Sequence, residues 1–211
     1  MKRFVALGAV LGIIFLSFWA LAASGTNLAS GTAQEVMWSE ALSIHWALFL
    51  APPPPDAALR TEAAAIHMTV RWSLSYIARY NASARSWEGA IDRSSLNVIN
   101  TMEPSLSWVV PGKECETTLN HEQRHFDLNE VYRRKLDLSL SRLTAAGASA
   151  EITKKLLKER IDATANQILG ALQAMQARYD RETAHGMNSA EQTRWDGMID
   201  AWLADPNQAP I

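Results

Sequence analysis

Cysteine is nearly absent from this chain. Cys115 is the only one in 211 residues, so no internal disulfide can staple the fold, and stability must come from a packed core. No cysteine lies near the apolar amino-terminal stretch either, which argues against a lipoprotein. An excess of charge of one sign is also missing. The net charge is −2, and without Lys2 and Arg3 it is −4, from 18 basic against 22 acidic residues; nothing in that balance recruits nucleic acid. Internal repeats and low-complexity tails are lacking too. What is present, 48% hydrophobic residues with eight tryptophans, fits one globular domain preceded by a targeting segment. The tryptophans read as core and interface anchors of that domain.

Lys2 and Arg3 precede an uncharged run from Phe4 to Ala23, and Ala20-Leu21-Ala22 offers a small-x-small cleavage site. Residues 1–23 therefore read as a secretory signal peptide. A run of about 20 such residues can also span a bilayer, so an uncleaved N-terminal helix anchoring the protein to the inner membrane is the alternative. Ser24 to Ala33 is rich in Ser, Thr, Gly and Asn, which makes residues 24–34 a flexible tether to a single domain over residues 35–205. The expected location is periplasmic or secreted, with membrane association through the N-terminal segment alone.

Leu42-Ser43-Ile44-His45-Trp46 alternates like a half-buried strand, with His45 on the polar face. Pro52 to Pro55 form a rigid loop. Val70, Trp72, Leu74 and Tyr76 alternate with Arg71, Ser73 and Ser75 in the clearest strand of the chain, and Leu96 to Thr101 reads as its partner across a turn in Asn81 to Glu88. A short extended piece at Trp108-Val109-Val110 stops at Pro111-Gly112. A helix capped by Thr117 or Thr118 should then run to about Leu143, with Gly147 as its terminator. Ser149 can cap a second helix, in which Ile152, Leu156, Ile161, Ala165, Ile168, Leu172, Met175 and Tyr179 form a long apolar stripe. Gly186 is placed to end it. Asn188 and Glu191 make a capping pair for a third helix that buries Trp195, Met198, Ile199, Trp202 and Leu203. Strands followed by helices predict an α+β domain, with a small antiparallel or mixed sheet packed on about three helices.

The chemistry concentrates in His121-Glu122-Gln123-Arg124-His125. On a helix, residues four apart share a face, so His121 and His125 can direct their imidazoles at one metal ion. Glu122 projects beside that ion, where its carboxylate can take a proton from a metal-bound water. A catalytic zinc takes three protein ligands and keeps one open position. The candidates for the third ligand lie in the polar segment Tyr179 to Gly186: His185 first, then Glu182 and Asp180, with the carboxylates that do not ligate orienting an imidazole. In a straight hairpin turning near Ala148, His185 overshoots the level of His121 and His125 by about 15 Å. The second helix must therefore break near Gly170 or after Tyr179, or the turn must be longer. Cys115 lies off the metal-facing side of the helix and is not expected to ligate.

The run from His121 to Leu136, with Tyr179-Asp180-Arg181-Glu182-Thr183-Ala184-His185-Gly186, resembles the bacterial domain-of-unknown-function family described as predicted secreted zinc-dependent proteases. Met102-Glu103-Pro104-Ser105-Leu106-Ser107-Trp108-Val109 and the aromatic strand at Trp72 to Tyr76 are similar to that family's amino-terminal half, and the resemblance runs from about Trp38 to Trp202. It implies a zincin-like α+β domain with His121 and His125 as zinc ligands, Glu122 as base, and the segment after Tyr179 completing the site. Arg124 departs from the pattern, in which a glycine commonly precedes the second histidine. The expected function is that of a zinc metallopeptidase of the cell envelope, a hydrolase acting on peptide or protein substrates, with Tyr179 as a hydrogen-bond donor to the oxyanion. The alternative is a non-catalytic envelope binding or assembly protein on the same scaffold, with a structural or absent metal.

Overall fold

A computed structural model describes residues 5–16 and 34–211, the side chains from residue 34 onward. The strands are β1 (Val5–Leu16), β2 (Val36–Met37), β3 (Ala64–Ala65), β4 (Met68–Asn81), β5 (Ser86–Met102), β6 (Trp108–Val109) and β7 (Thr144–Gly147); the helices are α1 (Glu116–Leu140), α2 (Ala150–Thr183) and α3 (Ser189–Ala204). The architecture is α+β. One antiparallel sheet runs in the order β1-β4-β5-β2, with β7 also paired to β5, and β3 pairs with β6 in a separate ladder. Val70, Trp72, Leu74 and Tyr76 of β4 face the helices and are buried, as the period of two requires. The expected partner strand is there but begins earlier, at Ser86. Between the pairs Ser75–Asp92 and Ser73–Asn97 the register of β5 shifts, which breaks the alternation and hides the first half of the strand from a periodicity reading.

α1 is the hub of the molecule. Phe126, Leu128, Val131, Tyr132, Leu136 and Leu140 are fully buried, enclosed by the sheet, α2 and α3. Each such side chain removed from water contributes about 1.5–3 kcal/mol. Trp195, Ile199 and Trp202 of α3 close the same core, while Ile44, Phe49, Met68, Met102 and Phe126 form a smaller one under the segment before β3. Ser149 caps α2 through Ile152 N–H, and Asn188 caps α3 through Glu191 N–H, both as expected.

Four local expectations are corrected. α1 is not capped by Thr117 or Thr118, which lie inside it; it begins at Glu116 behind Cys115, with no side-chain cap. Leu42 to Trp46 is no strand; Ile44 N–H bonds to the Gln123 side chain and the chain enters a 3-10 turn at Trp46–Leu48. Gly147 does not terminate α1, which stops at Leu140, but lies in β7. α2 runs 34 residues without a break at Gly170 or Tyr179. The extra reach comes from the turn: residues 141–149 carry the chain beyond the end of α1 to pair β7 with β5, so α2 starts late and returns far enough to meet the start of α1. Of the residues read as a leader or helical anchor, Val5–Leu16 form a strand along β4, where Val5, Val10, Ile13 and Ile14 suit a pleated surface. No helix among the described residues is long and apolar enough to cross a membrane. The expected tether lies outside the described residues save for its last position.

Candidate metal centre

His121 and His125 sit in the second and third turns of α1, buried against α2. From α2, the face that repeats at Gln176, Tyr179, Asp180 and Thr183 meets them. His121 Nε2, His125 Nε2 and Asp180 Oδ1 converge: the two nitrogens lie 3.1 Å apart, and the carboxylate oxygen is 3.1 Å from His121 and 2.8 Å from His125. These three residues form the one group of histidines, cysteines or carboxylates among the described residues that could hold a metal ion.

The hydrogen-bond network fixes both tautomers. Gln176 donates from Nε2 to the His125 carbonyl, so its Oε1 must be the atom 2.6 Å from His125 Nδ1. Gln192 donates from Nε2 to the Asp196 carboxylate and the Tyr179 hydroxyl, which turns its Oε1 to His121 Nδ1 at 3.2 Å. Each imidazole therefore donates from Nδ1 and aims the Nε2 lone pair at the cluster. Two lone pairs and a carboxylate oxygen packed this closely need a cation between them, a proton or a metal ion, and the donor set of two imidazoles and one carboxylate suits zinc. In the metal-free protein a proton fills that need. Burial disfavours charge on His125, but the Asp180 carboxylate and the Glu122 charge push its pKa up to about 9. Burial likewise opposes charge on Asp180, yet His125 and the bonds from the surrounding histidines hold its carboxyl far below the usual range.

The other expected site residues take different places. His185 stands at the mouth of the cluster, its Nδ1 3.5 Å from Asp180 Oδ1 and its Nε2 3.7 Å from Glu62. The donor brought against both imidazoles is Asp180, with His185 one contact further out, because α2 continues unbroken and Asp180 shares the inward face with Gln176, whereas His185 follows in a left-handed turn at φ 53°. Gly186 at φ 81° completes that turn, where a Cβ would come within 3.1 Å of His121 Cβ. Glu182, two residues and about 200° around α2 from Asp180, points to α3 and pairs with Arg178, Arg194 and the Trp195 indole. Tyr179 is fully buried and stacked on His121; its hydroxyl donates to the His121 carbonyl and accepts from Gln192, which makes it a prop beneath the cluster rather than a donor facing a cleft. Glu122 lies beside His125 with one oxygen held by Ile66 N–H at 2.9 Å. Arg124 turns to α3, where Asp196 and Asp200 join Asp127 around it, and leaves the histidine face clear. Cys115 is the exposed residue before α1, its thiol lowered to about 7 by the Thr117 and Thr118 hydroxyls, and takes no part in the cluster.

Gln176, Gln192 and Glu62 were not singled out from sequence. A signal existed for Gln176, a polar residue four before Asp180 on the end of an otherwise apolar stripe. None existed for Gln192 or Glu62, which reach the site by tertiary packing.

Fold and site together define an α+β protein with a buried two-histidine, one-carboxylate donor cluster. Residues 113–186 match the model of a family described as "Bacterial protein of unknown function (DUF922)", a span that contains His121, Glu122, His125, Asp180 and His185. No curated protein and no solved structure is matched by the chain.

Proposed function

We propose that the protein is a zinc-dependent peptidase of the cell envelope. The observation that carries this reading is the convergence of His121, His125 and Asp180 next to a carboxylate, Glu122, that the cluster does not use as a ligand; a structural site has no need of such a base. Zinc bound there would supply Lewis acidity and lower the pKa of a coordinated water towards ~7. Glu122, fixed by Ile66 N–H, accepts the proton of the attacking water and returns it to the leaving amine. Gln176 and Gln192 keep the imidazoles in place while Tyr179 supports His121 from below. Peptide binding through main-chain bonds to an extended segment near β3 would give affinity with little sequence selectivity. Export rests on the Lys2 to Ala23 pattern.

The test is zinc content per chain together with turnover of a peptide library. The parent should hold about one zinc and cleave, and Glu122→Gln should hold zinc and not cleave. Undiminished cleavage by Glu122→Gln sinks the mechanism, and a chain that refuses zinc sinks the class. One observation favours the non-catalytic alternative: His185 stands close enough to Asp180 to serve as a fourth protein donor and close the site. A cobalt-substituted protein whose spectrum ignores added anions would support that alternative; a spectrum that responds to them supports the enzyme.

A further inference from the structure

We propose a second ligand site on the outer face of the sheet, for a small phosphate-bearing amphiphile. The face is identified by Gly89, where a Cβ would meet Thr153 and Leu157 of α2; Gly89 and Ile91 thus face the helices, and Glu88, Ala90 and Asp92 face the other way. On that side β4, β5 and β7 form a trough of about 820 Å³. Pairing sets its residues in rows, Ile77 opposite Ala90 and Ala90 opposite Thr144, with Ala146 opposite Glu88. Ile77, Ala90 and Ala146 thus give the trough a small apolar strip flanked by Thr144 and Glu88.

Three guanidiniums line this trough: Arg79, Arg93 and Arg160. Arg93 is pinned by one bond from Nε to the Ser141 carbonyl and Arg160 by one from Nη1 to the Thr144 carbonyl, so each keeps most of its five N–H groups. Among the described residues none of the three has an ion-pair partner, although two carboxylates line the same trough. Those carboxylates are engaged by neutral donors instead, Glu88 by the Asn81 amide and Asp92 by the Ser94 N–H and hydroxyl. Three guanidiniums against two carboxylates leave the trough with one positive charge in excess, Glu88 standing across the ladder from Arg79, and the bonds to backbone carbonyls partly preorganise Arg93 and Arg160. Three planar forks suit the three peripheral oxygens of a phosphate monoester or the oxygens of a phosphodiester, while the Ile77–Ala90–Ala146 strip takes an apolar body. Glu88 and Asp92 repel an extended polyanion and can accept from hydroxyl or ammonium groups of the ligand. Arg160 and Asp180 are 20 residues apart on one helix, about 30 Å, so this site is separate from the metal centre and does not rest on the peptidase reading.

The experiment titrates the full chain, at about 50 mM salt to limit screening, with dihexanoyl phosphatidylglycerol, glycerol 3-phosphate and phosphatidylglycerol vesicles. Saturable binding of the short-chain lipid is expected, with amide shifts at Ala90 and Ala146. Arg93→Gln with Arg160→Gln should weaken it about a hundredfold, since each lost charge-assisted bond is worth about tenfold, while Lys113→Gln binds as the parent and zinc content stays unchanged. Glycerol 3-phosphate binding as well as the lipid identifies a free organic phosphate as the source; vesicle binding identifies a bilayer headgroup. Ala90→Trp, which fills the trough from an exposed position, should abolish binding in a folded protein and serves if the arginine variants fail to fold. Absence of saturable binding by every probe to about 5 mM, or full binding by the double arginine variant or by Ala90→Trp, overturns the proposal.

Discussion

Replacing Asp180 with Asn keeps the shape of the third donor and removes its charge. In the metal-free protein that charge, 2.8 Å from His125 Nε2, is what overcomes burial and lifts the histidine to about 9. A histidine whose pKa rises on folding from about 6.5 to about 9 contributes on the order of 3 kcal/mol, at about 1.4 kcal/mol per unit. The sign follows from proton binding. The contribution is fully present below pH about 6.5 and is lost as pH rises through about 9, because the folded state holds the proton more tightly than the unfolded one. Zinc needs the same nitrogen free, so zinc affinity should rise over that window while metal-free stability falls. The assay is urea unfolding with chelator present, from pH 6 to 10, on the parent and on Asp180→Asn. Taking the difference between the two cancels Cys115 and other distant groups. That difference should shrink by about 3 kcal/mol across the range, and zinc affinity of Asp180→Asn should fall by more than the roughly 10–100-fold typical of an orienting partner. A flat difference refutes the electrostatic argument. Unchanged zinc affinity in Asp180→Asn, with loss in His185→Ala, returns the third position to His185.

Gln176→Leu and Gln192→Leu remove the acceptors of the His125 and His121 Nδ1 protons; each should weaken zinc binding about 10–100-fold in a competition titration, and no change would show that packing alone sets the tautomers. Gly186→Ala and Gly170→Ala should move in opposite directions. The first forces a side chain into φ 81° and against His121, and should lower stability by about 1–3 kcal/mol and zinc affinity with it; the second meets open space within α2 and should stabilise by about 0.5–1 kcal/mol. Thermal unfolding of both checks the pair, and equal effects would contradict the geometry. Amino-terminal sequencing of the protein recovered from expressing cells should read a chain beginning after Ala22 or Ala23 if a leader is removed; a chain that retains Val5–Leu16 keeps β1 on the edge of β4 instead.

How far the sequence could be read differs from element to element, and the reason is distance. α3 and the caps of α2 and α3 were legible because Ser149, Asn188 and the apolar repeat act on residues three or four positions away, whereas the cap expected of Thr117 or Thr118 falls inside α1. β4 was legible because Val70 to Tyr76 face one core without interruption. The first half of β5 was not, since its alternation is broken where four residues, Arg93 to Leu96, bulge opposite Leu74. Leu42 to Trp46 misled for the opposite reason: its alternation is real, but Ile44 N–H finds the Gln123 side chain and no neighbouring strand.

At the candidate metal centre the sequence alone determined that His121 and His125 share a face with Glu122 beside them, because helical geometry is set within one turn of chain. It also narrowed the third donor to the residues after Tyr179. Only the tertiary structure brings Asp180, of these, against both imidazoles, since that depends on how far past α1 the chain travels before α2 begins. This distance is set by β7 pairing with β5, a contact between residues more than fifty positions apart, to which no local pattern is sensitive. The same holds for Gln192 and Glu62, which reach the histidines from α3 and from the loop before β3. Periodicity fixes which side of an element a residue occupies; the packing of elements decides what it meets there.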